Sequence, residues 1–295
     1  MKYYIIANPN SGTKKTIDIL KDFVEPKLKD YKIDFDILVT KSKGHATKIV
    51  SENNLSEYDA IIIVGGDGTI HEVINGMMQN KTNNIPIGII PSGSGNSLVH
   101  DLGEFNHCKI IDEIVKNIPK DIDILEVSDN KKKIYSINLI GWGMGTDIGI
   151  LAEKMRWLGP MRYNIASLIK IFTYNPRKAT LIIDRKEKIS KFSLLTICNT
   201  IHIGKGMKMA PKAKLNDGKM DIVFIENNFT RIQLLKLFPT IFNGKHIKNI
   251  KVQYKQAEYL KLIPINNEVL NIDGEMKGIT PIEIKVIKSG IRILN

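Results

Sequence analysis

One stretch constrains this chain more than any other. Ala60-Ile61-Ile62-Ile63-Val64 runs without a polar residue straight into Gly65-Gly66-Asp67-Gly68-Thr69-Ile70-His71-Glu72. A short apolar run of β-branched residues reads as a strand covered on both faces, as in a parallel sheet. The glycines that end it let the backbone approach phosphate oxygens closely, and the helix that follows offers unpaired N–H groups at its start. An acid in an anion site needs a reason, because like charges repel. Asp67 can hold Mg²⁺ or take a proton from a hydroxyl nucleophile. The plainer use of the same residues is a tight strand-to-helix turn capped by Asp67.

The rest of the first half repeats this rhythm. Tyr3 to Ala7 reads as a strand ending in the turn-forming cluster Asn8-Pro9-Asn10-Ser11-Gly12. Helical character follows over 16–30. Phe35 to Val39 is a second strand, followed by Thr40 and a helix near 44–54. After the central motif comes a helix from about Ile70, then a strand over Ile85 to Ile90 and a second glycine loop, Pro91-Ser92-Gly93-Ser94-Gly95-Asn96-Ser97. Strands alternating with helices imply an α/β layered domain, whose ligands usually bind at the carboxyl ends of the strands. Three small-residue loops ending strands of one sheet are more specific than any one of them. His71 reads as a helix-surface residue rather than a base.

Beyond about Asp121 the pattern changes. Val127 to Leu139 resembles a hairpin turning at Asp129-Asn130-Lys131, and 148–174 contains helix. Ala179 to Ile183, Ser193 to Cys198, Lys219 to Ile225, Tyr259 to Ile263, Val269 to Ile272 and Ile282 to Val286 read as strands. The expected architecture is an α/β nucleotide-binding domain over 1–122 and an antiparallel β-sandwich-like domain over 123–295, with the last strand free to return to the first domain.

Composition narrows the classes. The 295 residues suit two domains, and 43% hydrophobic with 25% charged residues excludes a disordered chain, a collagen repeat and a coiled coil. Two cysteines, Cys108 and Cys198, provide neither a disulfide framework nor a metal pair. With no signal-like apolar segment, a reduced, cytoplasmic protein is expected. The net charge of +12 is uneven: residues 151–250 hold 19 basic and 6 acidic residues. A local positive field attracts nucleic acid, nucleotides or an acidic membrane. Two apolar stretches lie in that third. Tyr163 to Tyr174 contains Ile165, Leu168, Ile169, Ile171 and Phe172. Ile232 to Phe242 contains Leu234, Leu235, Leu237, Phe238 and Ile241. Apolar anchors among lysines suit an anionic membrane interface, where the protein would be peripheral; core packing is the alternative use.

These motifs together resemble the lipid kinase superfamily of bacterial diacylglycerol kinases, sphingosine kinases and ceramide kinases. Gly65-Gly66-Asp67-Gly68-Thr69 with Glu72-Val73-Ile74-Asn75-Gly76 matches its central motif, and Pro91 to Asn96 its second loop. Asn138 to Asp147 resembles the segment opening its second domain. Glu153-Lys154 with Arg156 to Tyr163 resembles a block of sphingosine kinases. Pro211-Lys212-Ala213 with Asn216-Asp217-Gly218 resembles a structural magnesium loop, and Asp273-Gly274-Glu275 the signature near the C-terminus.

The resemblance implies a two-domain kinase with ATP in the cleft and a membrane lipid as substrate; it leaves a homodimer open. It places Asn8, Pro9, Asn10, Ser11, Gly12, Thr40, Gly65 to Glu72, and Gly93, Ser94, Gly95 and Asn96 around the nucleotide. Arg156 and Arg162 align with phosphate-binding arginines, whose guanidinium forks suit phosphate oxygens. Asp217, with the carbonyls of Lys214 and Lys219, would hold Mg²⁺. The base is Asp67, or one of the pair Asp273 and Glu275.

Two departures matter. Ser97 stands where bacterial diacylglycerol kinases usually carry Asp. Gly149 stands where sphingosine kinases carry an acid that meets the lipid amine, which argues against a sphingoid base, because a buried ammonium would lack its partner. The expectation is an ATP- and Mg²⁺-dependent lipid kinase, with diacylglycerol favoured over other lipids. Rival readings are an NAD kinase and a non-catalytic lipid- or nucleotide-binding module. A nucleic-acid binder explains the basic third but not the paired glycine loops.

Overall fold

The computed structural model describes every residue except Thr13, Lys81, Thr82, Asn83, Asn130, Lys205 and Asn228, and all side chains but those of Arg156 and Pro160 among the rest. The chain divides into two units, Met1–Ile124 with Lys288–Asn295, and Leu125–Ile287. The division falls inside two strands, Pro119–Ser128 and Ile282–Leu294. The second unit starts three residues after the 1–122 segment read from the sequence, and the last eight residues belong with the first unit.

The first unit is built on a parallel sheet. Strands β1 (Lys2–Ala7), β2 (Asp34–Val39), β3 (Ala60–Gly65) and β4 (Ile87–Pro91) lie in the order β4-β3-β1-β2. Ile293 and Leu294 add a further parallel strand beside β4. Every residue of β3 is buried, as its unbroken apolar run requires. At the edge of the sheet β2 is mostly exposed. Tyr3, Ile5, Ile62, Val64 and Ile90 pack against Leu20, Val24 and Leu28 and against Ile110, Ile111 and Ile114 of the helix His107–Lys116. The helical segment over 16–30 is not uniform. Its middle, Leu20–Val24, is a π-helical turn, and Pro26, which has no N–H to donate, follows directly.

The second unit is antiparallel. Its hub is the 13-residue strand Lys186–Cys198. The first half of that strand pairs with Arg177–Ile183; the second half pairs with Leu139–Gly143 on one edge and Met220–Glu226 on the other. Tyr259–Pro264 extends the sheet beyond Arg177–Ile183, and Val269–Ile272 with Glu275–Ile279 extends it beyond Leu139–Gly143. The hairpin joining Pro119–Ser128 to Lys133–Ser136 is formed as expected, and Asn130 at its turn lies outside the described residues. Trp142, Phe192 and Phe224 fill the sandwich core in successive edge-to-face contacts, with ring centroids 6.5 and 5.8 Å apart.

A second apolar cluster explains both apolar stretches of the basic third. Ile171 and Tyr174 pack with Leu234 and Leu237 in one core. The same helices expose Leu168, Ile169 and Phe172, and Ile232. Each is therefore core on one face and open on the other. Phe192 sits at the centre of the sandwich. Phe192→Ala is expected to cost about 3–5 kcal/mol in chemical denaturation, from lost burial and the cavity left behind; a loss under about 1 kcal/mol would show that the ring is not a core element.

Candidate functional site

The site of the first unit is made by loops that the sheet order brings side by side. Asn8 to Gly12 follows β1, Thr40 follows β2, Gly66 to Thr69 follows β3, and Ser92 to Ser97 follows β4. Their mutual fit is tight at the backbone. A Cβ added at Gly66 would lie 2.8 Å from the Gly93 Cα, and one at Gly93 would lie 2.6 Å from the Gly66 Cα. A Cβ at Gly12, where φ is +50°, would lie 2.3 Å from the Ser92 carbonyl oxygen. No side chain fits at these three positions without backbone movement, which is why the loops are glycine-rich.

Polar bonds hold the same junction. The Asn8 amide Nδ2 donates to Thr69 Oγ1 at 2.9 Å, Thr16 and Ser92 share a buried hydroxyl pair at 2.8 Å, and the Thr40 N–H donates to the Ala7 carbonyl at 2.8 Å. Asp67 opens the helix Asp67–Asn80, and its Oδ1 accepts the Ser97 N–H at 2.7 Å. Ser97 in turn opens the helix Ser97–Leu102, and its hydroxyl lies 3.3 Å from Asp67 Oδ2. So one carboxylate ties the central loop to the second glycine loop, and Ser97, the departure from the bacterial pattern, is its partner. Asn10, Gly12 and Ser94 remain exposed around this junction, with Asp67, Gly68, Gly93, Gly95 and Asn96 half-buried. The junction gathers small residues and one carboxylate at the ends of neighbouring strands, a composition that lets a backbone come close to phosphate oxygens.

Other residues of the central motif have different work. The Glu72 carboxylate accepts the Gly44 N–H at 2.7 Å and the Ala46 N–H at 3.2 Å, capping the helix His45–Glu52. Ile70 is core. His71 is 2% exposed, so it is not the surface residue expected. Helix Asp67–Asn80 is buried on most of its circumference, and the turn carrying His71 lies inside.

The second unit positions the remaining candidates. Asp273 is 5% exposed, and its carboxylate accepts four hydrogen bonds. Oδ1 takes the Ser136 hydroxyl at 2.7 Å and the N–H groups of Asn138 and Leu139 at 2.9 and 3.0 Å; Oδ2 takes the Ile137 N–H at 3.1 Å. Asp273 thus pins the turn between two strands. Glu275 begins the next strand. Arg162 lies 3.4 Å from Glu153 and stacks on Tyr163; the Arg156 side chain lies outside the described residues.

Two arrangements in this unit were not legible as sequence patterns. Arg177 bridges Asp147, at 2.7 Å, and Glu268, at 3.3 Å, and burial pushes the Glu268 carboxyl above its usual range. Gly149 faces the Asn271 amide and Met276, and a Cβ there would lie 2.7 Å from Met276 Cε. At the expected magnesium loop, Asp217 Oδ1 accepts the Lys219 N–H at 3.1 Å, and Lys214 stands in the same loop. The buried Asp221 carboxyl, bonded to Tyr254 Oη at 2.6 Å, is pushed up by burial and further by the nearby Asp217 charge. The Asp217 carboxylate is a hard oxygen donor of the kind magnesium takes, and its Oδ1 already accepts the Lys219 N–H. Among the described residues no group of three or more His, Cys, Asp or Glu gathers as a metal cluster.

Known proteins share the sequence pattern and the fold of both units. Residues 2–127 match the diacylglycerol kinase catalytic domain, and residues 138–295 match the YegS C-terminal NAD kinase beta sandwich-like domain. The chain is 29% identical over 288 residues to a diacylglycerol kinase of Bacillus subtilis, covering 94% of this chain and 90% of that protein. It is 26% identical over 312 residues to sphingosine kinase 1 of Arabidopsis thaliana, covering 89% of this chain but only 64% of the plant protein's length. A crystal structure of a diacylglycerol kinase from Bacillus anthracis Sterne superposes with a TM-score of 0.79 at 24% identity, over 99% of this chain and 96% of that one, a likeness of fold. With both matched domains in order along nearly the whole sequence, the chain belongs to the diacylglycerol kinase family of lipid kinases.

Proposed function

We propose that this chain transfers the γ-phosphate of ATP to the primary hydroxyl of a membrane lipid, with diacylglycerol as the favoured acceptor. The observation that carries the reading is the junction of Gly12, Gly66 and Gly93, which packs three small-residue loops together with the Asp67 carboxylate at the ends of their strands. Asn10, Gly12, Gly68 and Ser94 would face the nucleotide. Magnesium, where bound, would neutralise phosphate charge and tie the Asp217 loop.

The acceptor is argued from charge. A sphingoid base brings an ammonium, which needs a free carboxylate in a buried site. Asp147 is already paired with Arg177, and Gly149 carries no side chain. A neutral headgroup meets no such deficit. The deciding experiment offers labelled ATP with diacylglycerol, monoacylglycerol, sphingosine, ceramide and NAD separately. Label in diacylglycerol is expected. Label in sphingosine alone would overturn the acceptor, and label in NAD alone would overturn the class.

For the proton acceptor, Asp67 is a better candidate than Asp273, whose carboxylate is already engaged by four donors. Asp67→Asn keeps an oxygen for the Ser97 N–H, so its melting temperature should match the parent while turnover falls by about 10²-fold or more. Asp273→Asn sets an amide N–H against the donors that Asp273 now accepts, and should lose about 2 kcal/mol of stability. Near-normal turnover in the purified Asp67→Asn protein would remove Asp67 from this role.

The Asp217 loop makes a prediction separate from catalysis. Added Mg²⁺ should raise the melting temperature of the parent by about 2–4 °C. Asp217→Asn should abolish that rise; an equal rise would place the ion elsewhere. Because the folded-state pKa of Asp221 is raised, the folded protein holds that proton more tightly than the unfolded chain, and stability from this group falls as pH rises through its folded value.

The lipid also implies a membrane. Among the described residues no helix is long and apolar enough to cross one. Helix Arg162–Thr173 instead exposes Leu168, Ile169 and Phe172, and the kinked segment before it exposes Trp157 and Met161, while the helix's other face is core. Such a stripe beside basic residues suits the headgroup region of an anionic leaflet. Binding to vesicles containing phosphatidylglycerol should weaken as salt is raised. Equal, salt-independent binding to pure phosphatidylcholine would count against it.

A further inference from the structure

We infer that the turn carrying Ile250 is a second membrane anchor, which inserts an isoleucine into an anionic bilayer from within a lysine cluster. The inference rests on the lipid-kinase reading, yet stands on different residues from the helix Arg162–Thr173. Ile250 is 91% exposed, more than any other large apolar side chain among the described residues. A solvated isoleucine of that exposure does nothing for the fold.

The turn is built to hold it there. It lies between the short helix Lys245–Lys248 and the strand Val252–Ala257. The Asn249 N–H donates to the His246 carbonyl at 3.1 Å, the Val252 N–H donates to the Asn249 carbonyl at 2.9 Å, and the Lys251 N–H donates to Asn249 Oδ1 at 3.0 Å. His246 anchors the base of the turn. It is buried, its Nε2 lies 3.0 Å from the Met209 carbonyl, and burial keeps its pKa low. A tethered apolar tip loses less freedom on insertion than a loose one.

The surroundings say what the tip meets. From Asn227 to Ala257 the sequence holds six basic residues, Arg231, Lys236, Lys245, Lys248, Lys251 and Lys255, and no acidic one. Lys251 Nζ donates to Gln233 Oε1 at 3.2 Å and lies over the Phe229 ring, so the turn shares its surface with the start of the helix Arg231–Leu237. That helix presents Ile232, 65% exposed. Arg231 reaches back to the carbonyls of Ile171 and Tyr174, at 3.2 and 2.7 Å, which joins this surface to the end of the helix that exposes Phe172. Exposed isoleucines in a segment with six basic residues and no acid repel a second copy of the same surface and match an anionic leaflet, where each basic residue adds attraction and the apolar tip adds burial.

The test uses the full chain and phosphatidylcholine vesicles with or without phosphatidylglycerol, read by co-sedimentation. Ile250→Glu should weaken binding to the anionic vesicles by about tenfold or more. Ile250→Leu should bind like the parent. Both should match the parent in melting temperature and in phosphotransfer to diacylglycerol dispersed in neutral detergent. Parent-like vesicle binding by Ile250→Glu would overturn the anchor, whatever the kinase assay gives. A parent protein without phosphotransfer, whose vesicle binding still depends on Ile250, would overturn the kinase reading and leave the anchor standing.

Discussion

Everything in the first unit depends on a backbone contact. Gly66 and Gly93 lie with their Cα atoms so close that neither tolerates a Cβ, and Gly12 is pressed against the Ser92 carbonyl in the same way. This contact holds the loops of three adjacent strands side by side. It also lets Asp67 serve as a structural tie, through Ser97. The two loops approach closely enough for one carboxylate to reach across.

The carboxylates of the motifs divide by how fully the fold occupies them. Glu72 caps a helix, Asp273 pins a turn with four donors, and Asp147 answers Arg177. Removing such partners from water is costly unless each is satisfied, and here each is. The carboxylates of the family's motifs are therefore unlike one another in how far the fold engages them. Asp67, half-buried at the loop junction, is placed differently from Asp273, which is almost wholly enclosed.

The second unit shows the same economy with apolar residues. Its helices contribute Ile171, Tyr174, Leu234 and Leu237 to a core cluster and leave Leu168, Ile169, Phe172 and Ile232 in solvent. A stretch more apolar than one buried helix face requires leaves part of its apolar surface open. Core packing and membrane contact, which the residues alone left as rivals, are compatible because they use opposite sides.

The sequence by itself determined the parallel β3 strand, the glycine loops, the change of rhythm into an antiparallel unit and the family. These are local signals: apolar runs, turn residues and motifs in fixed order. It also carried the absence of an acid at Gly149. Only the tertiary structure decided that His71 is buried, that Glu72 caps a helix and Asp273 pins a turn, that Arg177 neutralises Asp147 and that Ile250 stands exposed on a hydrogen-bonded turn. The reason is physical. A side chain's role depends on which donors and apolar surfaces reach it from distant parts of the chain, and spacing along one strand or helix does not encode that. His71 and Ile250 make the point together: each looked unremarkable among its neighbours in sequence, and packing placed one inside and the other out.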